Sequence, residues 1–313
     1  MAVVVPSYNR SERLAPLFAA LAKQHLPAEE FEVVVADDCS TDDTISVLEE
    51  LQATMPFSLR IVRTPVNGGP AAARNLGWQH TSAPIVAFTD DDCDPSPEWL
   101  EAGLAAFEGK PNVGVVQGAT RATGGMRPEY HGDWYVWRVI DSPSPYFEGC
   151  NLFFRRDVLE ITGGFDEEIG YHGEDSAAGW RVLEAGFDRE FAADAAVDHP
   201  VENRGVLWHM KMARLEKRIV WCAAKHPGFR QEAFFRPWAY RRADAAMSLA
   251  LVGVIVGLRF RPAFLLTLPY LWWRRPSMRY ISFFRMCLEV PLVDLVRAVS
   301  HLEGSVKYRI LVL

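Results

Sequence analysis

The stretch IVAFTDDDCDPSPEWL, residues 85–100, concentrates the groups that could do chemistry. A β-branched and aromatic run of the kind that forms a buried strand breaks into Asp90, Asp91 and Asp92, and then Asp94. Such crowding is unfavourable unless something positive sits among the acids. In an extended chain successive side chains point to opposite faces, so Asp90 and Asp92 share one face and Asp91 points away. Two carboxylates then converge at the carboxyl end of a strand, where open α/β sheets bind their ligands. Hard oxygen donors of this kind suit Mg²⁺ or Mn²⁺ bridging a diphosphate, a role that needs one or two carboxylates and not a full protein cage. An acidic turn closing a strand ahead of Pro95 and Pro97 is the competing reading.

Three further clusters carry candidate chemistry. The run FEVVVA, residues 31–36, also ends in acid, Asp37 and Asp38, before Ser40, Thr41 and Asp42. Residues 67–83, NGGPAAARNLGWQHTSA, set Gly68 and Gly69 in a tight turn and carry Arg74 and Asn75 on a helix that can point back at the strand ends. Neither a Walker A Gly-Lys-Ser/Thr nor a GxGxxG fingerprint is present, so Arg74 reads as a diphosphate contact or as a solvated helix arginine. Glu174 and Asp175 open another helix, where an acid pair either complements the dipole or holds a general base near a nucleophile. The aromatic stretch 126–146, with Tyr130, Trp134, Tyr135, Trp137 and Tyr146, offers planes that stack on sugar rings, or a lid packed on its own domain.

The elements that must position these groups follow from periodicity. Strands are expected over residues 2–5, 31–36, 59–63, 85–89, 113–118 and 151–154, with helices over 12–25, capped by Ser11, and over 43–55, 71–79, 98–107 and 157–162, and from Glu174 onward. Strand, helix, strand, helix with short links implies a right-handed parallel arrangement with the strand ends on one edge. The fold class is therefore α/β.

Composition bounds the rest. At 313 residues and 49% hydrophobic content, the chain holds one large α/β domain plus an appendage, or two modest domains. The start, MAVVVPSYNR, does not read as a signal peptide. Five cysteines, far apart and without a CxxC pair, fit a reduced compartment and argue against a zinc site or a disulfide framework. The net charge of -7 hides a division: residues 1–203 carry 14 Lys+Arg against 34 Asp+Glu, and residues 204–313 carry 19 against 6. An acidic half that holds a metal and a small ligand, beside a basic half facing something anionic, accounts for it.

Taken together, VVVPSYNR, VVVADDCSTDDT, NGGPAAARNLGW, VAFTDDDCDPSPEWL, GCNLFFRR, GGFDE and GEDSAAGWRVLEAGF resemble, in order and spacing, the family 2 glycosyltransferases of GT-A fold, over residues 1–203. The resemblance implies a Rossmann-like, mixed but mostly parallel sheet flanked by helices. It implies an inverting transfer of a sugar from a nucleotide diphosphate sugar, UDP favoured, to the hydroxyl of a glycan or glycolipid, with Mn²⁺ or Mg²⁺ as cofactor. Residues 1–100 would form the nucleotide-sugar half and 101–203 the acceptor and catalytic half. By the same resemblance Pro6, Tyr8, Asp37 and Asp38 line the nucleotide pocket, and Arg74 lies near the donor. Asp90, with Asp91 beside it, lies toward the ribose, and Asp92 is the metal contact with Asp90 next to it. Asp175 is the base with Glu174 beside it, and Asn151, Trp134 and Trp137 border the acceptor. His199 follows FAADAAVD where some relatives place a further metal ligand, although a histidine before proline is also an ordinary structural residue.

The basic region 204–313 lies largely outside that resemblance. Residues 208–225 read as one helix, and the apolar runs 245–258 and 263–273 are each shorter than the about 20 residues of a spanning helix. Joined, they would bury Arg259 and Arg261 at roughly 2.5 to 3.5 kcal/mol each. The expectation is a C-terminal helical region that lies on or re-enters an anionic membrane surface, with Trp272 and Trp273 at the headgroups, on the cytoplasmic face. Buried helices of a soluble domain are the alternative. A nucleic-acid partner is not expected, because apolar helices interrupt the basic residues and no binding motif appears. A sugar nucleotidyltransferase would need a Gly-rich, Arg-containing loop after the first strand, which PSYNR does not supply. An inactive binding relative would show decay at acids that are all present here.

Overall fold

The computed structural model describes residues 1–123, 135–136, 138–274 and 283–313. These fall into two compact units, one within Met1–Gly125 and Trp137–Pro200, the other within Met126–Val136 and Val201–Leu313.

In the first unit β1 (Ala2–Ser7), β2 (Glu32–Asp37), β3 (Ser58–Arg63) and β4 (Ile85–Thr89) pair in parallel in the order β3-β2-β1-β4. β1 and β2 are nearly continuous apolar runs because both sheet faces are covered. Val3, Val5, Val33 and Val35 share one core with Leu14, Leu17, Phe18 and Leu21 of α1 (Ser11–Leu21) and Leu48 of α2 (Thr44–Thr54). On the other face α3 (Gly69–Gln79) comes so close that a Cβ on Gly77 would lie 2.3 Å from a Val4 methyl. The α1 cap differs from expectation by one position. Arg10 is the cap residue, and the Asp42 carboxylate accepts from the amide and hydroxyl of Ser11 and from Thr44, tying α1 to α2.

Beyond β4 come β5 (Asp94–Pro95), α4 (Trp99–Ala105), β6 (Val113–Ala122), β7 (Tyr135–Val136, in the second unit), β8 (Asn151–Arg155), α5 (Arg156–Thr162), α6 (Glu174–Glu184) and β9 (Asp188–His199). The full sheet runs β3-β2-β1-β4-β8-β6-β9-β5, with β8 and β5 opposed to the other six strands. It is a mixed, mostly parallel sheet flanked by helices. Antiparallel β8 sets Asn151 opposite Thr89, so the start of β8 meets the end of β4 at the edge where β1 and β2 also finish.

The second unit is helical: α7 (Gly205–Leu215), α8 (Lys217–Lys225), α9 (Pro227–Ala233), α10 (Arg242–Gly257), a 3₁₀ helix over Arg261–Thr267, α11 (Leu268–Arg274) and α12 (Phe283–Tyr308), with β10 (Glu202–Asn203) pairing β7. The single helix expected over 208–225 breaks at Glu216. That buried carboxylate is drawn inward by Arg241 (3.3 Å), Arg297 (3.0 Å) and His301 (3.2 Å). Burial alone would raise Glu216, but these partners outweigh it and hold the group well below the usual carboxylate range. Val252, Ile255, Leu258, Leu265, Leu268 and Trp272 are exposed along α10, the 3₁₀ helix and α11. Among the described residues no helix is long and apolar enough to cross a membrane.

Candidate active site

Three loops meet at the carboxyl edge of the parallel strands, and specific pairings bring them together. Directly after the acidic loop, β5 pairs antiparallel with the end of β9, Asp94 opposite Asp198 and Pro95 opposite Val197. That pairing carries Asp92 back to His199, whose Nε2 lies 3.9 Å from Asp92 Oδ1. His199 Nδ1 lies 3.0 Å from the Pro200 carbonyl, which can only accept, so in the neutral ring Nδ1 holds the proton and Nε2 keeps its lone pair. A ring nitrogen freed in this way by a carbonyl on the other nitrogen suits a metal ligand. One carboxylate and one imidazole are a donor set that fits a first-row divalent ion. Among the described residues no group of three such side chains comes together, so protein alone would not complete the coordination shell.

Asp90 turns the other way. Its Oδ1 accepts from Arg74 Nη2 at 2.9 Å, while Arg74 Nη1 donates to Glu174 Oε1 at 3.0 Å. The guanidinium is buried, lies over the Phe165 ring, and would be 2.7 Å from any Cβ on Gly149. Arg74 thus clamps the acidic loop to the start of α6. Glu174 was expected to work beside Asp175, but the fold uses it otherwise. It is buried, and its second oxygen accepts from the His172 amide at 2.8 Å, leaving it to hold Arg74. Burial and the neighbouring Asp175 outweigh Arg74 and push Glu174 up to about 7. Asp175 is less enclosed; Oδ2 accepts from the Gly149 amide at 3.0 Å and Oδ1 from the Ser176 amide at 2.7 Å. Two backbone donors therefore fix a carboxylate at the head of α6.

Asp91 points into the interior, but residues 91–92 form a turn and not an extended strand, so the shared face expected of Asp90 and Asp92 is not seen: Asp90 meets Arg74 and Asp92 meets His199. Asp91 accepts from Ser7 Oγ at 2.9 Å and lies 3.6 Å from Arg10 Nε, and burial raises its pKa to about 7 despite both. It is buried and braces the acidic loop against β1. The nucleotide-side acids are similarly engaged. Asp37 accepts from the Ser40 amide and from Arg63 Nε at 3.1 Å. Asp38 accepts from Thr64 Oγ1 (2.9 Å) and the amides of Gly68 (2.8 Å) and Gly69 (2.7 Å), capping α3. Both are buried, so they build the floor of the edge, above which Pro6 is half-buried and Tyr8 exposed. Four of the five non-glycine residues with positive φ among those described, Asn9, Cys39, Phe147 and His172, stand in the loops around this edge.

Asn151 is a correction. It is fully buried, donates to the carbonyls of Ala119 (2.7 Å) and Ala195 (2.9 Å), and accepts from Trp99 Nε1 at 2.8 Å. The pairing of β6 with β9 jumps between Gly118 and Ala119, and the Asn151 amide fills that irregularity, so it cannot border an acceptor. Trp134 and Trp137 lie outside the described residues. Sequence reading missed Ser7, Arg10, Gly149 and Glu148; the last accepts from Gln117 (2.7 Å) and Ser144 (2.9 Å) and is raised by burial and Asp175. The glycine in EGCN was the one visible signal, since only glycine clears Arg74 there.

The sequence model of Glycosyl transferase family 2 matches residues 2–164, just over half of the chain. The chain belongs to that family. Among curated relatives of this family 2 chain, glycosyltransferase AglE of Haloferax volcanii is 32% identical over 212 residues, covering 66% of the chain and 69% of AglE. Validoxylamine A glucosyltransferase of Streptomyces hygroscopicus subsp. jinggangensis is 30% identical over 215 residues, and the alignment spans 58% of the chain but only 51% of that enzyme. Of the solved structures, mannosyltransferase PcManGT from Pyrobaculum calidifontis, in complex with GDP-Man and Mn²⁺, superposes with a TM-score of 0.66 over 96% of this chain and 86% of its own, at 24% identity. The S. aureus TarS 1–349 structure with UDP-GlcNAc superposes with a TM-score of 0.55 at 20% identity, covering 98% and 91%. Those likenesses establish the GT-A fold. The family match ends before α6 and His199, so the roles of Asp175 and His199 rest on geometry.

Proposed function

We propose that the chain is an inverting, metal-assisted glycosyltransferase that moves a sugar from a nucleotide diphosphate sugar, a UDP-sugar in the first instance, to an acceptor hydroxyl. The observation that carries the reading is the clamp. Arg74 bonds Asp90 of the acidic loop and Glu174 at the head of α6, so one buried cation ties the loop that carries Asp92 to the helix that carries Asp175. Inversion needs a base on the side of the anomeric carbon opposite the leaving diphosphate. Asp175, held by two amides, would take the acceptor proton. Asp92 and His199 would hold the divalent ion, whose role when bound is to offset charge on the leaving diphosphate. Tyr8 offers an exposed ring to the base.

The acceptor we favour is a lipid-linked or cell-envelope glycan at the cytoplasmic membrane face. A TarS of S. aureus named as a poly(ribitol-phosphate) β-N-acetylglucosaminyltransferase is 39% identical over 106 residues, which cover 34% of this chain and 18% of that protein, and its name is in keeping with an envelope acceptor. The membrane side is supported by the exposed apolar surface of α10 to α11, and by residues 245–288, which hold six arginines and no acid. Exposed apolar side chains interleaved with arginines suit an anionic bilayer surface.

Calorimetry with UDP, GDP, dTDP and CDP, each with and without Mn²⁺, tests the donor site. One nucleotide should bind in a metal-dependent way, and Asp92→Asn or His199→Ala should weaken that binding at least tenfold while leaving the metal-free value unchanged. Equal affinity in the wild type and both variants would remove Asp92 and His199 from the metal site.

A further inference from the structure

Two residues near the head of α6 each break a local rule. Gly179 stands in the second turn of the helix, where alanine would hold the backbone better. Phe147, ahead of β8, has a backbone φ of +47°, which glycine or asparagine adopts readily and a bulky residue does not. One contact accounts for both. A Cβ on Gly179 would lie 2.2 Å from a Phe147 ring carbon, so the ring rests on the helix backbone itself. The ring is fully buried, stands edge-on to the Trp180 indole with centres 6.2 Å apart, and lies under the Arg189 guanidinium at 5.8 Å. Local misfits that one contact reconciles are the mark of a constrained site.

That contact is one of four fastenings between residues 144–149 and a single face of α6. Trp180 Nε1 donates to the Pro145 carbonyl at 2.9 Å, and Ser176 Oγ donates to the Tyr146 carbonyl at 2.7 Å. The fourth is the Gly149 amide, which donates to Asp175 Oδ2. Asp175, Ser176, Gly179 and Trp180 are neighbours at three- and four-residue spacing on the helix surface. From the opposite side Gln117 of β6 accepts from the Ser144 amide at 2.8 Å and donates to Glu148 at 2.7 Å. The hydrogen bonds hold the strap down but accept a broad range of angles. A ring packed into a gap without a Cβ has little room to slide.

We propose that Phe147 is a positioning residue for sugar transfer, given the reading of Asp175 as the base. Its ring, keyed against Gly179, sets where the Gly149 amide meets Asp175 and so the direction in which that carboxylate faces the acceptor hydroxyl. The Ser176 amide belongs to the helix and moves with it. The Gly149 amide comes from outside the helix, two residues along the chain from the keyed ring, and fixes how the carboxylate is turned about its own side-chain bonds.

Two measurements on the full chain test this. Hydrogen exchange read by mass spectrometry follows the strap without any substrate. In Gly179→Ala the new methyl displaces the ring, and in Phe147→Leu the ring is lost while an apolar side chain remains. Both should speed exchange across residues 144–151 by about fivefold or more, the loss of roughly one hydrogen bond, with β1 and β2 unchanged. Turnover, read as UDP released from a UDP-sugar with Mn²⁺, should fall roughly 10- to 100-fold in both, as a misplaced catalytic group requires, with donor KM and nucleotide affinity unchanged. Because the two substitutions act on one contact, Gly179→Ala should add no further loss in a Phe147→Ala chain. Unchanged exchange in Gly179→Ala overturns the proposal, and so does faster exchange with unchanged kcat. Nucleotide affinity lost in step with kcat also overturns it, since the ring would then only support the fold. Asp175→Asn distinguishes the two readings. If it transfers as wild type does, the base lies elsewhere and Phe147 has nothing to position; if it is inactive and a folded Gly179→Ala is not, the positioning role alone falls. Should either variant not fold, the other carries the same test.

Discussion

Asp175→Asn is expected to lower sugar transfer by roughly 10²- to 10⁴-fold, the usual worth of a positioned general base, with nucleotide affinity unchanged. The substitution keeps the shape of the side chain and one carbonyl oxygen, so it keeps one of the two bonds from the Gly149 and Ser176 amides. The lost bond is a local matter of about 1 kcal/mol. What disappears is the ability to accept a proton from the acceptor hydroxyl. Turnover and calorimetric nucleotide affinity, measured on the same preparation, separate the two effects. Turnover within tenfold of wild type would place the base elsewhere. Glu148 would then come next, since it neighbours Asp175 and burial raises its pKa.

Much of this arrangement was legible because each active-site loop follows a strand whose apolar pattern is unmistakable. FEVVVA and IVAFT can only be buried strands, and the acids that follow them can only lie at the carboxyl edge. The directions of the acids themselves were not legible, because residues 91–92 form a turn in which the alternation of an extended chain does not apply, and Asp90 and Asp92 meet different partners. Side-chain roles were less legible, because they depend on partners remote in sequence. Glu174 and Asp175 are adjacent and chemically alike, yet Glu174 meets Arg74 a hundred positions away while Asp175 meets the Gly149 amide. Nothing local distinguishes them. Asn151 failed for a related reason. A polar residue at the start of a strand near an active site reads as a ligand contact. Its actual task, satisfying two carbonyls left by a register shift between β6 and β9, exists only once those strands are paired.

Antiparallel β8, entering between β4 and β6, gives the parallel half of the sheet a second side to its carboxyl edge. It brings the EGCN segment beside the end of β4, where Gly149 has both the Arg74 guanidinium and the Asp175 carboxylate as neighbours. The β5 and β9 pairing does the same for Asp92 and His199. Each strand reversal therefore supplies one partner that the parallel half lacks, and Arg74 connects the two results.

Arg74→Met should accordingly destabilise the first unit more than it disturbs any single contact, by about 3–5 kcal/mol at neutral pH, the usual cost of removing one partner of a buried ion pair. Without the guanidinium, Asp90 and Glu174 each lose the Arg74 donor, and Arg138, whose charge also acts on Asp90 and Asp175, is left as a cation beside them. The pH dependence has a definite sign. Burial and Asp175 hold Glu174 above its ordinary 4.5 in the folded chain, so the stability linked to its proton is full below that ordinary value and is lost as pH rises through the folded one. Removing Arg74 takes away the main influence that lowers it and drives the folded value higher still. The variant should therefore lie closest to wild type near pH 5 and fall furthest behind near pH 8. Urea unfolding of both proteins at those two pH values measures this, and Glu174→Gln added to Arg74→Met should restore part of the loss at pH 8 by removing the stranded charge. A deficit of the same size at both pH values would show that Arg74 stabilises the fold by packing on Phe165 and not by holding the two carboxylates.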